Sequence, residues 1–153
     1  MKQDTKGRIQ PETINELFEL IAKDKGTRLV LLELGEVSIY FSSLEEKTTI
    51  ELLAYRVTID NNAVNHIKKK HGNQSREKLR GQIAIEEDDY SKVAQIVGSY
   101  DNIIYKGVDK SSANQLIQFE KELASIFYTC LMEIRISRKR LSLKTMYKRA
   151  ISK

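Results

Sequence analysis

Apolar residues recur at every second position from Ile126 to Ile136: Ile126, Tyr128, Cys130, Met132, Ile134 and Ile136. Thr129, Glu133, Arg135 and Ser137 fall on the opposite face. A period of two predicts a long strand with one buried face and one face that carries chemistry. The segment runs into Ser137-Arg138-Lys139-Arg140 and then Leu141 to Lys148, which reads as a further strand or a short helix. Upstream, Ile103–Lys106, Gln115–Phe119 and 123–137 form three successive strand segments with short polar turns, an antiparallel meander.

The first half of the chain has the period of helices. Pro11-Glu12-Thr13 opens one, with Ile14, Leu17, Phe18 and Ile21 at helical spacing and Lys25-Gly26 as its stop. Arg28–Leu34 and Val37–Phe41 read as two strands around a hairpin turn at Gly35-Glu36. Ser42–Lys47 is polar and reads as a loop or short helix. Thr49–Ile59 is rich in β-branched residues and reads as a strand. Asp60 is placed to cap a helix over 61–71, with Gly72 following it. Residues 76–85 fit either helix or strand. Glu86-Glu87-Asp88-Asp89 precedes a helix over 90–97 and suits the positive end of that helix better than a cation site. Helices followed by a meander predict an α+β fold. A change in composition near Ser42–Lys47 divides the chain into an appendage, residues 1–48, and a main domain, residues 49–153.

Charge sharpens this picture. The chain of 153 residues carries a net charge of +5, but eight of its 26 Lys and Arg lie in residues 134–153, which hold none of the 21 Asp and Glu. The first 133 residues are therefore net acidic, and the positive charge is gathered at one end of the long strand. A concentrated basic surface attracts polyanions, of which nucleic acid is the commonest. The N-terminus has no apolar stretch of the kind a signal peptide requires, and no segment is apolar enough to span a bilayer. A cytoplasmic location without membrane contact is expected. Cys130 is the one cysteine and falls on the apolar face, so packing is its expected role.

The two histidines lie five residues apart in Asn65-His66-Ile67-Lys68-Lys69-Lys70-His71. At ~100° per residue, Val64, Ile67 and His71 share one helix face, and His66 falls at its edge beside Asn62, Ala63, Lys69 and Lys70. His71 reads as a packed histidine near the helix end. His66 reads either as a surface histidine or as a general base held neutral by its cationic neighbours. Lys70, one turn on from His66, is the lysine best placed to assist it. Zinc-ligand spacing, a phosphate-binding glycine loop, a dinucleotide fingerprint and a nucleophile elbow are all absent from the sequence. A histidine, lysines and a basic sheet face suit metal-independent RNA cleavage, in which the 2′-hydroxyl is the nucleophile and no cofactor is required.

His66-Ile67-x-x-x-His71-Gly72, Ile83-x-Ile85-x-x-Asp88-Asp89-Tyr90, Asp101-x-Ile103, Met132-Glu133-Ile134 and Leu143-Lys144-Thr145-Met146-Tyr147-Lys148 together resemble the phage-associated nucleases of the Barnase–EndoU–Colicin–RelE group. The resemblance covers residues 49–149. It implies N-terminal helices packed on a four-stranded antiparallel sheet, here with a small helix/hairpin appendage. It also implies a metal-independent endoribonuclease, often directed at tRNA, in a phage or toxin setting, with RNA and an immunity or antitoxin protein as partners. Carried over, His66 or His71 matches the helix histidine, and Thr145 matches the C-terminal Ser/Thr. Glu133 and Arg135 occupy a strand position that holds an acid and a cation. Arg138, Lys139, Arg140, Lys144 and Lys148 are the expected nucleic-acid contacts. The competing readings are a non-catalytic nucleic-acid-binding protein of phage or regulatory type and an interaction module on a degenerate nuclease fold.

Overall fold

The computed structural model describes residues 2–3, 9–23, 29–38 and 51–151, with the side chains of residues 2, 3 and 9 excepted. Two strand pieces, β1 (Lys2–Gln3) and β2 (Ile9–Gln10), pair with each other. They are followed by α1 (Ile14–Lys23), β3 (Leu31–Glu36) and β4 (Arg56–Asp60). Next come α2 (Asn61–His71), α3 (Gln74–Leu79), a 3₁₀ turn (Glu87–Lys92) and α4 (Val93–Gly98). The chain closes with β5 (Asn102–Val108), β6 (Gln115–Leu123), β7 (Ile126–Arg135), a 3₁₀ turn (Ile136–Arg138) and β8 (Arg140–Ala150).

The α+β class and the meander are present, but the expected four-stranded antiparallel sheet is corrected. β5 to β8 do form an antiparallel set of four. β4 then adds parallel to β8, and β3 adds antiparallel to β4, giving a mixed six-stranded sheet in the order β3-β4-β8-β7-β6-β5. The tail segment is a strand because it has a neighbour on each side, β7 and β4, to satisfy its backbone.

The expected hairpin at Gly35-Glu36 is a bulge instead. Gly35 has φ +129, a value few side-chain-bearing residues adopt, and it interrupts the register of β3 against β4 between Glu33 and Gly35. Residues 24–28 and 39–50, including the expected helix stop at Lys25-Gly26, the Ser42–Lys47 segment and the boundary at residue 48, lie outside the described residues. Leu17, Phe18 and Leu32, from the N-terminal side of that boundary, join the same hydrophobic cluster as Ile59, Ile67, Met132 and Met146.

Other boundaries shift for local reasons. Among the described residues, the strand expected over 49–59 begins only at Arg56, because a turn at 53–54 places Ala54 at φ 67. Residues 76–85 divide between α3 and a single bridge from Ile83 to Lys148. Ala124 and Ser125, both with positive φ, make the β6–β7 turn, so Leu123 ends β6 rather than starting β7. The strand predicted to reach Ser137 stops at Arg135, and Ile136 is exposed beyond it.

α2 has the predicted bounds. Asp60 Oδ1 accepts from the Ala63 amide at 2.8 Å, satisfying one of the free donors of the first turn. At the other end Gly72 stays helical, with φ −96, and its amide donates to Lys68 O. Its glycine is required for room, since an added Cβ would lie 2.6 Å from that carbonyl. The buried residues of the helix are Asn61, Ala63, Val64 and Ile67, and the helix packs against β4 and β8. Tyr128, Cys130, Met132 and Ile134 of β7 are all buried, as their alternation predicts. Enclosure pushes the Cys130 thiol up, away from the reactive thiolate form.

The acidic run 86–89 has a structural task. The Glu86 amide donates to Asp89 Oδ2, which closes the 3₁₀ turn. Asp89 also accepts from Tyr128 at 2.8 Å and from Lys148 at 2.7 Å. Burial raises its carboxyl, but these hydrogen bonds outweigh burial and hold it below the usual carboxylate range. Lys148, expected to contact nucleic acid, is thus corrected to a buried ion pair that ties the 3₁₀ turn to β8.

Candidate active site

The N-terminal half of α2 faces the ends of β7 and β8 across a cleft of about 190 Å³. Asp60 and His66 line one side, and Glu133, Arg135, Ser142 and Lys144 line the other. The helix side is built by the Asp60 cap, which sets the start of α2 and so the position of His66 one and a half turns later. His66 is exposed toward the cleft. Partial burial, then the charges of His71, Lys70, Lys144 and Lys69, lower its pKa from the ordinary histidine value. The neutral imidazole of a general base is favoured there.

The sheet side depends on a bulge. In the β7–β8 register Leu131 pairs with Thr145 and Met132 with Leu143, so Lys144 is an extra residue without a cross-strand partner. Bulges commonly re-aim a side chain beside a functional site. Lys144 Nζ lies 2.7 Å from Asp109 Oδ2 and 3.9 Å from Glu133 Oε2. Asp109 follows β5, and the hydrogen bond from Lys144 is the main cause that lowers its pKa to about 2. Ser112 Oγ lies 3.1 Å from Asp109 Oδ2 and 3.0 Å from Glu133 Oε2. Arg135 Nη2 is 2.9 Å from Glu133 Oε1, outside hydrogen-bond alignment, so this buried carboxylate oxygen retains its accepting capacity. Ser142 Oγ and Thr58 Oγ1 hydrogen bond across β8 and β4 at 2.7 Å.

The cleft brings together His66, Glu133, Arg135 and Lys144 of the expected set. It leaves out the others. His71 Nδ1 is 3.1 Å from Glu77 Oε2, whose second oxygen accepts from Arg80, and its ring stands against Tyr147. Lys70 is exposed outside the cleft lining, and its carbonyl accepts from Arg80. Thr145 Oγ1 is enclosed without a hydrogen-bond partner among the described residues and does not line the cleft, because the bulge gives that place to Lys144. Arg138 and Lys139 are exposed in the β7–β8 turn, where Lys139 adopts a left-handed backbone with φ 50. Arg140 follows in β8.

Sequence reasoning missed Asp60 and Ser142 as cleft residues, and Asp109 and Ser112 as the partners of Lys144 and Glu133. Asp109-x-Ser-Ser carries the signal of an Asx turn, and Ser111 and Ser112 do bond the Asp109 carboxylate. Its approach to β8 is a tertiary event with no local mark. Among the described residues no group of three or more His, Cys, Asp or Glu side chains is placed to hold a metal.

A family model described as phage-Barnase-EndoU-ColicinE5/D-RelE like nuclease3 matches residues 37–153, which include every cleft residue named above. The chain belongs to this nuclease family. No curated protein and no solved structure gives a significant match. Membership in a nuclease family points to nucleic acid as the substrate class. No helix among the described residues is long and apolar enough to cross a membrane.

Proposed function

We propose that this family member is a metal-independent endoribonuclease. The observation that carries the reading is the convergence, in one cleft, of a histidine biased toward its neutral form with Glu133, Arg135 and Lys144. His66 takes the proton of the RNA 2′-hydroxyl, which attacks the adjacent phosphorus. Arg135 and Lys144 stabilise the charge of the pentacoordinate phosphate. Glu133 orients Arg135. Lys144, unlike an arginine, has a transferable proton for the departing 5′-oxygen. The products are a 2′,3′-cyclic phosphate and a 5′-hydroxyl. The family resemblance favours tRNA among the substrates, a phage or toxin setting, a cytoplasmic site of action and an immunity or antitoxin protein as partner.

Purified protein incubated with total RNA in EDTA should cleave it and leave cyclic phosphate ends. Activity lost in EDTA and restored by a divalent ion would overturn the mechanism. One observation favours a second reading: both cleft cations are engaged by carboxylates of the chain itself, Lys144 by Asp109 and Arg135 by Glu133. A nucleic-acid-binding protein without cleavage could be built this way, and RNA bound but recovered intact would decide for it.

A further inference from the structure

Three arginines stand side by side where the sheet meets the β7–β8 turn. Arg135 of β7 pairs with Arg140 of β8, and Arg140 pairs with Arg56 of β4. The row crosses two strand spacings, about 10 Å. Like charges directly opposite one another across strands are destabilising, and the row has only partial compensation. Arg56 Nη1 meets Glu33 Oε1 at 2.8 Å, and its Nη2 reaches the Arg138 carbonyl at 3.5 Å. Arg135 meets Glu133. Arg140, in the middle, has no carboxylate partner among the described residues, and its Nε is buried without a hydrogen-bond partner. Burial, then the charges of Arg56 and Arg138, with Arg135 a lesser cause, lower the Arg140 pKa, while Glu33 acts in the opposite direction.

Arg135 belongs both to this row and to the cleft wall. An anion bound at Arg140 is therefore next to an anion bound in the cleft. Guanidinium groups bind phosphate oxygens in pairs, with charge-assisted hydrogen bonds. We propose that Arg140, flanked by Arg56 and Arg138, is a second phosphate site that holds the phosphodiester adjoining the scissile one in single-stranded RNA. This rests on the RNA reading above and deepens it. The substrate must carry at least two linkages to fill both places, and its backbone runs across β7, β8 and β4 rather than along them. A phosphate at Arg140 offsets the repulsion within the row. Lys144 lacks this incentive, standing outside the row and already paired with Asp109.

The test compares a trinucleoside diphosphate with the dinucleoside monophosphate that carries only the scissile linkage. In the wild-type protein the second phosphate should raise kcat/KM at least tenfold. In Arg140→Gln the ratio between the two substrates should collapse toward one, and Arg140→Lys should recover part of it. The 2′-O-methyl analogues of both, which lack the nucleophile, give the same comparison by binding. There the salt slope for the longer analogue should fall by about 0.7 in Arg140→Gln. Should Arg140→Gln fail to fold, Arg56→Gln should lower the same ratio. A ratio unchanged by these variants, or no gain from the second phosphate in the wild-type protein, would overturn the proposal. Intact ribonucleotides alongside a binding ratio that still depends on Arg140 would instead overturn the cleavage reading and leave the phosphate site standing.

Discussion

His66 and His71 share one helix, yet their surroundings assign them different tasks. His66 opens into the cleft among cations, while His71 bonds the fully buried Glu77 and contacts Tyr147. His66→Ala should lower the cleavage rate by about 10²- to 10⁴-fold, the usual worth of a general base. RNA affinity and the unfolding midpoint should change little. His71→Ala should instead lower stability by about 1–3 kcal/mol, because Glu77 loses a partner while buried. Denaturant unfolding of the two variants beside initial rates separates the roles, and exchanged results would show that the cleft is misassigned. The pH profile offers a second check. Burial and neighbouring cations favour the neutral imidazole, so kcat/KM should fall on the acid side with an apparent pKa below the ordinary 6.5. Lys70→Gln removes one positive neighbour, stabilises the imidazolium and should move that limb up toward 6.5. An acid limb above 6.5 in the wild-type protein would exclude His66 as the base.

α2 and β7 were legible along the chain because their signals are local. A side chain three residues from an amide caps α2, and a period of two marks β7. The ends of β8 and the bulge within it had no such mark. They arise where Met132 and Leu131 choose Leu143 and Thr145 as partners, and this choice moves the cleft position from Thr145 to Lys144. The same strand misled the assignment of Lys148, whose charge looks like its basic neighbours but enters a buried pair with Asp89. Lys148→Met should leave the buried Asp89 carboxylate with only the more distant Lys92, 3.5 Å away, as its cation and cost up to about 3 kcal/mol. Its RNA salt slope, corrected for the folded fraction, should match that of the wild-type protein. Asp89, held below the usual carboxylate range, contributes stability that is full above its unfolded value near 3.8 and is lost as pH falls through its lower folded value. Acid unfolding in that range should therefore be blunted in Lys148→Met, and identical acid transitions would show that the pair carries no linkage.

Over the molecule, the basic tail is divided along β8: its start stands at the β7–β8 turn, while Lys148 is buried against Asp89 and Arg149 lies at the far end, paired with Phe127. Arg138, Lys139 and Arg140 close the β7–β8 connection beside the cleft. Changing all three to Ala should lower the log–log salt slope for single-stranded RNA by up to about 2, at about 0.7 per phosphate contact. An unchanged slope would place the RNA elsewhere. The chain pattern by itself determined the α+β class, the antiparallel meander from β5 to β7, the bounds of α2, the buried face of β7 and the run of basic residues after it, since each follows from residues near one another. It also singled out His66, Glu133, Arg135 and Lys144 as separate candidates. Their meeting required β4 to lie parallel to β8, joining Thr58 to Ser142 across 84 positions, and Asp109 to reach Lys144 across 35. Pairing at such separations is set by the mutual fit of surfaces and by backbone groups that must find partners. No local period encodes it, so the sixfold sheet, the bulge at Lys144 and the arginine row exist only in the folded chain.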